Sequence, residues 1–270
     1  MTHDLTAEVA LSAAHVGKSF GTGADRVAVI EDLHLEIRTG DITCLVGASG
    51  VGKTTLLRLL AGLATPSTGA VSLAGSVITE PVEQIAVVFQ DYRGSLLPWM
   101  RVAQNVAFPL EGRKVPKAER LRRAQDALEV VGLGESADKY PWQLSGGMQQ
   151  RVAIARALAY EAPIMLMDEP FGSLDAQTRF ELEDLVLGLR DRLGITIVVV
   201  THDIDEAVYL GDRVVVLGGR PSRIVDDVEV PLGRERNQLV TRATPTFVQL
   251  RTRVLEEIQE HGLVQQIAAT

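Results

Sequence analysis

The segment Gly47-Ala48-Ser49-Gly50-Val51-Gly52-Lys53-Thr54 constrains this chain more than any other feature. It fits the pattern GxxxxGK[ST] at every position. It follows the apolar run Ile42–Val46 and precedes a stretch with helical spacing from about Lys53 to Leu60, closed by Gly62. An uninterrupted apolar run of this length suits a central strand buried on both faces. Glycines let the backbone wrap so closely that several N–H groups can point at one phosphate, and the following helix adds its positive end. Lys53 would reach the β- and γ-phosphates of ATP, the Thr54 hydroxyl would ligate Mg²⁺, and Thr55 extends the set. The competing reading is a glycine-rich turn with an exposed lysine. The strand–loop–helix context disfavours it.

A second segment supplies carboxylates. Ile164-Met165-Leu166-Met167 reads as a buried strand, and Asp168-Glu169 emerge at its C-terminal end, where open α/β sheets bind ligands. Asp168 would hold the Mg²⁺ shell. Glu169, one residue further on, can face the γ-phosphate and act as general base toward the attacking water. Taken alone, adjacent acids could merely solvate a strand end; the phosphate loop makes the catalytic reading the better one.

Around these segments the pattern alternates. Leu33, Leu35 and Ile37 interleave with His34, Glu36 and Arg38, as in a half-buried antiparallel strand. Further strands are expected at Ile85–Phe89, Thr196–Val200 and Val214–Leu217, with helices near Ala176–Leu193 and Ile204–Tyr209. That alternation implies a parallel sheet with helical crossovers. Between about Gln90 and Ala162 the spacing is helical. Leu121, Ala124, Leu128 and Val131 define one apolar face, and a second helix starts near Gly147. A terminal amphipathic segment places Phe247, Leu250, Val254 and Ile258 together.

Composition narrows the classes. With 35 acidic against 27 basic residues the chain lacks the basic footprint of a nucleic-acid binder. No apolar run approaches the roughly 20 residues of a membrane helix, and residues Met1–Leu11 do not read as a signal peptide. The expectation is a soluble, cytosolic chain unless a partner holds it at a membrane. The single cysteine, Cys44, lies within the apolar run and reads as a buried strand residue. The five histidines show no metal-ligand spacing.

Leu144-Ser145-Gly146-Gly147-Met148-Gln149-Gln150-Arg151 resembles the signature of ABC ATPases. The resemblance covers almost the whole chain, with other motifs in family order: Gln90 as the Q-loop, Ser173-Leu174-Asp175 as the D-loop and His202 as the switch histidine. Phe20 matches the aromatic that stacks on adenine, although the family more often has tyrosine, and Met148 stands where many members have glutamine. The implied fold is α/β: a P-loop (RecA-like) core over 1–89 and 163–235 with an N-terminal antiparallel β subdomain. An inserted α-helical subdomain over 90–162 and a helical tail over 236–270 complete it.

Physical reasoning gives the signature a role. Ser145-Gly146-Gly147 is a second glycine-rich helix start, hence a second anion site, yet there is one set of catalytic carboxylates. Two copies meeting head to tail would resolve this, and the resemblance implies that each ATP is then sandwiched between one phosphate loop and the other copy's signature. The resemblance implies ATP and Mg²⁺ as cofactors, with Gln90, His202 and Glu169 catalytic. It implies a homodimer, transmembrane permease subunits, indirectly an extracytoplasmic binding protein, and a place at the cytoplasmic face of the inner membrane. Local alternatives stay open: Gln90 as a strand-end amide, and His202 as part of a helix start capped by Thr201 or Asp203. Leu96-Leu97-Pro98-Trp99 and Arg220-Pro221-Ser222-Arg223-Ile224 resemble segments of the nitrate/sulfonate/taurine importers. Leu96, Leu97 and Trp99 would form an exposed permease-facing patch, unless Trp99 only packs the helical subdomain. The competing function is a non-transport ABC ATPase, as in DNA repair or translation.

Overall fold

The computed structural model describes residues 8–267, so residues 1–7 of the expected core and 268–270 of the expected tail lie outside the described residues. In chain order the elements begin with β1 (Val9–Phe20), β2 (Val27–Arg38), β3 (Ile42–Gly47) and α1 (Lys53–Leu60). There follow β4 (Thr68–Leu73), β5 (Ser76–Ile78) and β6 (Ile85–Val88). A helical block comprises α2 (Tyr92–Ser95), α3 (Val102–Ala107), α4 (Pro109–Gly112), α5 (Lys117–Val130) and α6 (Gly146–Ala159). Then come β7 (Ile164–Asp168), α7 (Ala176–Leu193), β8 (Thr196–Val200) and α8 (Ile204–Leu210). The last are β9 (Arg213–Gly218), β10 (Arg223–Glu229) and α9 (Pro245–Ile267).

Two sheets result. The first is antiparallel, in the order β2-β1-β4-β5. Its inward face carries Leu33, Leu35 and Ile37, as their alternation predicts. The second runs β10-β9-β3-β8-β7-β6, parallel except for the β10 edge. Here β3, β7 and β8 are buried along their full length, which explains why their sequences are continuous apolar runs rather than alternating ones. The mixed sheet has a hydrophobic cluster on each face. Leu45, Leu166 and Val198 point toward the antiparallel sheet and α1, while Cys44, Met167 and Val199 point toward the helices. Val102, Leu128 and Ile154 of the helical block belong to that second cluster, so the block shares the core of the α/β layer.

Two expectations fail, and each has a physical cause. Leu121 is 40% exposed, whereas Ala124, Ala127 and Leu128 form the buried stripe of α5. The turn holding Leu121 is occupied by ion pairs, Arg120 with Glu111 and Arg123 with both Glu119 and Glu161. Leu96 is buried, not part of an exposed patch. Arg156 of α6 donates to the Ser95 carbonyl and hydroxyl at 2.7 Å each, and the Asn105 amide bonds both the N–H and C=O of Leu97. This clamp turns Leu96 inward and leaves Leu97 half-buried and Trp99 70% exposed.

The segment after β10 is tied down by charge. Arg236 donates to the carbonyls of Tyr209 and Gly211, and Arg242 pairs with the buried Glu183 at 2.7 Å. Phe247 and Val254 then seat α9 on the core. Among the described residues no helix is long and apolar enough to cross a membrane.

Candidate active site

The phosphate loop leaves β3 at Gly47, whose φ of 152° and position leave no room for a side chain. A Cβ there would lie 2.4 Å from the Leu217 carbonyl oxygen on β9. Val51 is anchored in the core beneath the loop, and Gly52, at φ 112°, starts α1. Lys53, 6% exposed, donates from Nζ to the carbonyls of Gly47 at 2.8 Å and Ala48 at 3.2 Å. Burial pushes the Lys53 ammonium down from its ordinary pKa, with the Glu169 and Asp168 carboxylates opposing the shift.

At the end of β7 the carboxylates separate by environment. Asp168 is buried and accepts a hydrogen bond from the Thr54 hydroxyl at 3.1 Å. Burial raises its pKa, and the Thr54 bond offsets part of that rise. Glu169 occupies the left-handed region at φ 43°, a conformation costing a non-glycine residue about 1 kcal/mol. Its N–H is fixed to the Val200 carbonyl at 2.8 Å. Its Oε2 accepts from Gln90 Nε2 at 2.8 Å and lies 3.3 Å from His202 Nδ1. Residues far apart in sequence thus meet across the ends of β6, β7 and β8. They line a cleft of about 600 Å³ with Val29, Ser49, Gly50, Gly52, Lys53, Thr54 and Thr55.

Other expected residues sit elsewhere. Ser145, Gly146 and Gly147 are not part of this cleft lining. Ser145 caps α6 by accepting from the Met148 N–H at 3.3 Å. Phe20 is 50% exposed, with the Lys18 ammonium 5.2 Å from its ring centre, and it too is not part of the cleft lining. The capping question at His202 resolves to Asp203, whose side chain accepts from the Glu206 N–H. Three local features were not anticipated: Val29 on the cleft wall, Arg156 clamping the chain after Gln90, and Arg179 on α7 reaching toward His202's neighbour. An Arg in the first turn of a helix carries no sequence signal of its partner.

Comparison with known proteins accords with the cleft. The family described as ABC transporter matches residues 30–172. An uncharacterized ABC transporter ATP-binding protein of Methanocaldococcus jannaschii is 44% identical over 95% of this chain and 94% of its own length. The bicarbonate transport ATP-binding protein CmpD of Synechocystis sp. is 40% identical over 91% of this chain and 88% of its own. The nitrate import ATP-binding protein NrtC of Synechococcus elongatus is 43% identical over 93% of this chain, which spans only 38% of that longer protein. Among solved structures, a dimeric ATP-binding cassette in a post-hydrolysis state with ADP and Pi superimposes with a TM-score of 0.72. It is 32% identical and covers 82% of this chain and 98% of its own. The cleft therefore belongs to a P-loop ATPase. The chain is a member of the ABC transporter family, the ATP-binding and ATP-hydrolysing subunit of an importer.

Proposed function

We propose that this chain is one half of a head-to-tail ATPase dimer, held at the cytoplasmic face of the inner membrane by permease subunits. It would power uptake of a small solute, of the nitrate or bicarbonate class or a similar compound, delivered by an extracytoplasmic binding protein. The names of the nitrate and bicarbonate relatives support the substrate class, and the dimeric solved cassette supports the pairing. The domain division proposed is a core of 1–89 and 163–235, a helical subdomain of 90–162 and a tail of 236–270.

The observation that carries the chemistry is the Glu169 carboxylate, held by Gln90 and close to His202 at the cleft. Glu169 would take the proton of the attacking water, Gln90 would orient it, and His202 would contact the γ-phosphate. Lys53, with Gly47, Ala48, Ser49, Gly50, Val51, Gly52, Thr54 and Thr55, would hold the phosphates. Phe20 would stack on adenine. Ser145, Gly146 and Gly147 would complete the partner's site rather than their own.

Among the described residues no group of three or more His, Cys, Asp or Glu side chains forms a metal cage. The Thr54 hydroxyl and the Asp168 carboxylate, with the Gln90 amide oxygen, instead offer a few hard oxygen ligands. That set fits Mg²⁺, which keeps waters and substrate phosphates as its remaining ligands. When bound, the ion would neutralise phosphate charge.

Glu169→Gln tests the assignment. ATP binding should persist while turnover falls by about a hundredfold or more, and an ATP-bound dimer should accumulate on a sizing column. Wild-type hydrolysis by this variant would remove Glu169 as the base.

A further inference from the structure

His202 is 60% exposed at its side chain, and its backbone neighbours do the work of placing it. On one side Thr201 is buried, its N–H bonded to the Leu45 carbonyl of β3 and its hydroxyl accepting from the Asp203 N–H at 3.0 Å. On the other side Asp203 uses both carboxylate oxygens. Oδ1 caps α8 through the Glu206 N–H at 3.1 Å, and Oδ2 accepts from Arg179 Nη1, also at 3.1 Å.

Arg179 approaches from the first turns of α7. Its Nη2 points to the Leu174 carbonyl at 3.4 Å and its Nε is buried with no partner, while the side chain as a whole is half-buried. The turn it stands on is itself well fixed. Asp175 caps α7 through the Thr178 N–H at 3.0 Å and accepts from the Thr178 hydroxyl at 2.8 Å. The signature helix packs directly on the same turn: a Cβ at Gly147 would lie 2.3 Å from Thr178 Cγ2. One turn later Glu181 pairs with Arg151 of α6 at 3.0 Å. The start of α7 is thus a rigid reference for both the signature and Leu174-Asp175, and Arg179 is the side chain that extends this reference to the loop bearing His202.

We infer that Arg179 is a positioning residue for ATP hydrolysis, holding the His202 loop in register with the start of α7 through Asp203. The inference rests on the proposed role of His202. It assigns no nucleotide contact to Arg179, which is absent from the cleft lining. Losing the bridge should loosen His202 while leaving the phosphate loop intact, because Lys53 and Thr54 are held by β3, β7 and their own helix. A charge-assisted, two-point contact of this kind is not reproduced by lysine, which offers a point charge in place of the planar fork.

The test is steady-state ATPase and ATP binding for Arg179→Met, Arg179→Lys, Asp203→Asn, the Arg179→Met/Asp203→Asn pair and His202→Ala. Asparagine keeps the helix cap and removes the ionic half of the bridge. Arg179→Met should lower kcat by roughly tenfold or more with ATP affinity within about twofold, as expected when a reacting group is misplaced. Arg179→Lys should fall between, and the double variant should be no slower than the worse single one. Turnover by folded Arg179→Met within about twofold of wild type, while His202→Ala is inactive, would overturn the positioning role and leave the site reading standing. Full losses that multiply in the double variant would also overturn it. If His202→Ala turns over normally, the site reading fails and the inference falls with it.

Discussion

Glu206 offers a stability prediction whose size follows from its surroundings. It sits on α8, 3% exposed, with Oε1 lacking a partner. Burial pushes its pKa from 4.5 up to about 8, and the nearby Glu183 and Asp203 carboxylates push the same way. The Thr201 hydroxyl bond and Arg179 oppose the rise. Because the folded protein holds this proton more tightly than the unfolded chain, the group's contribution is complete below about pH 4.5. It is lost progressively as pH rises and is fully lost above about pH 8. At about 1.4 kcal/mol per pH unit, the difference between Glu206 and a neutral isostere approaches about 5 kcal/mol as an upper bound. Glu206→Gln removes the titration and keeps the Asp203 cap, which uses the backbone N–H. Urea unfolding at about pH 5.0, 6.5 and 8.0, values within this window, should show the variant gaining steadily on wild type as pH rises and gaining little more beyond it. Parallel pH–stability curves, or a wild type that gains at high pH, would refute a buried neutral carboxyl.

Other outcomes follow from close packing. Gly147→Ala should impair ATPase activity strongly, because the new methyl meets a Thr178 rotamer pinned by Asp175. Adding Thr178→Ser removes the clashing Cγ2 and keeps the hydroxyl, so the pair should recover folding stability relative to Gly147→Ala in thermal melts. No recovery would mean the glycine is required for another reason. Cys44 is fully buried and its thiol is pushed well above the ordinary range by burial, so maleimide labelling in native buffer should proceed no faster than global unfolding. Fast labelling would contradict the placement of β3.

The sequence by itself determined the parts whose rules are local. Glycines at Gly47, Gly50 and Gly52 with Lys53-Thr54 define an anion loop wherever a strand feeds a helix. The apolar run at Ile42–Val46 identified a strand buried on both faces, Ile164–Met167 a buried strand, and Thr196–Val200 a further strand. Motif order then indicated the family before any contact was known. Only the tertiary structure decided what depends on separation in sequence. It brought Gln90 Nε2 to 2.8 Å from Glu169 and His202 to 3.3 Å, and it set Glu169 in a left-handed backbone conformation. It turned Leu96 inward through Arg156 and Asn105, against an apolar pattern that reads equally well as exposed, and it left Leu121 in a turn given to ion pairs. It also joined Arg179 to Asp203, 24 residues away. A periodicity reports which face of an element is apolar. It does not report what covers that face or which charged side chain will arrive from another element to fix a loop.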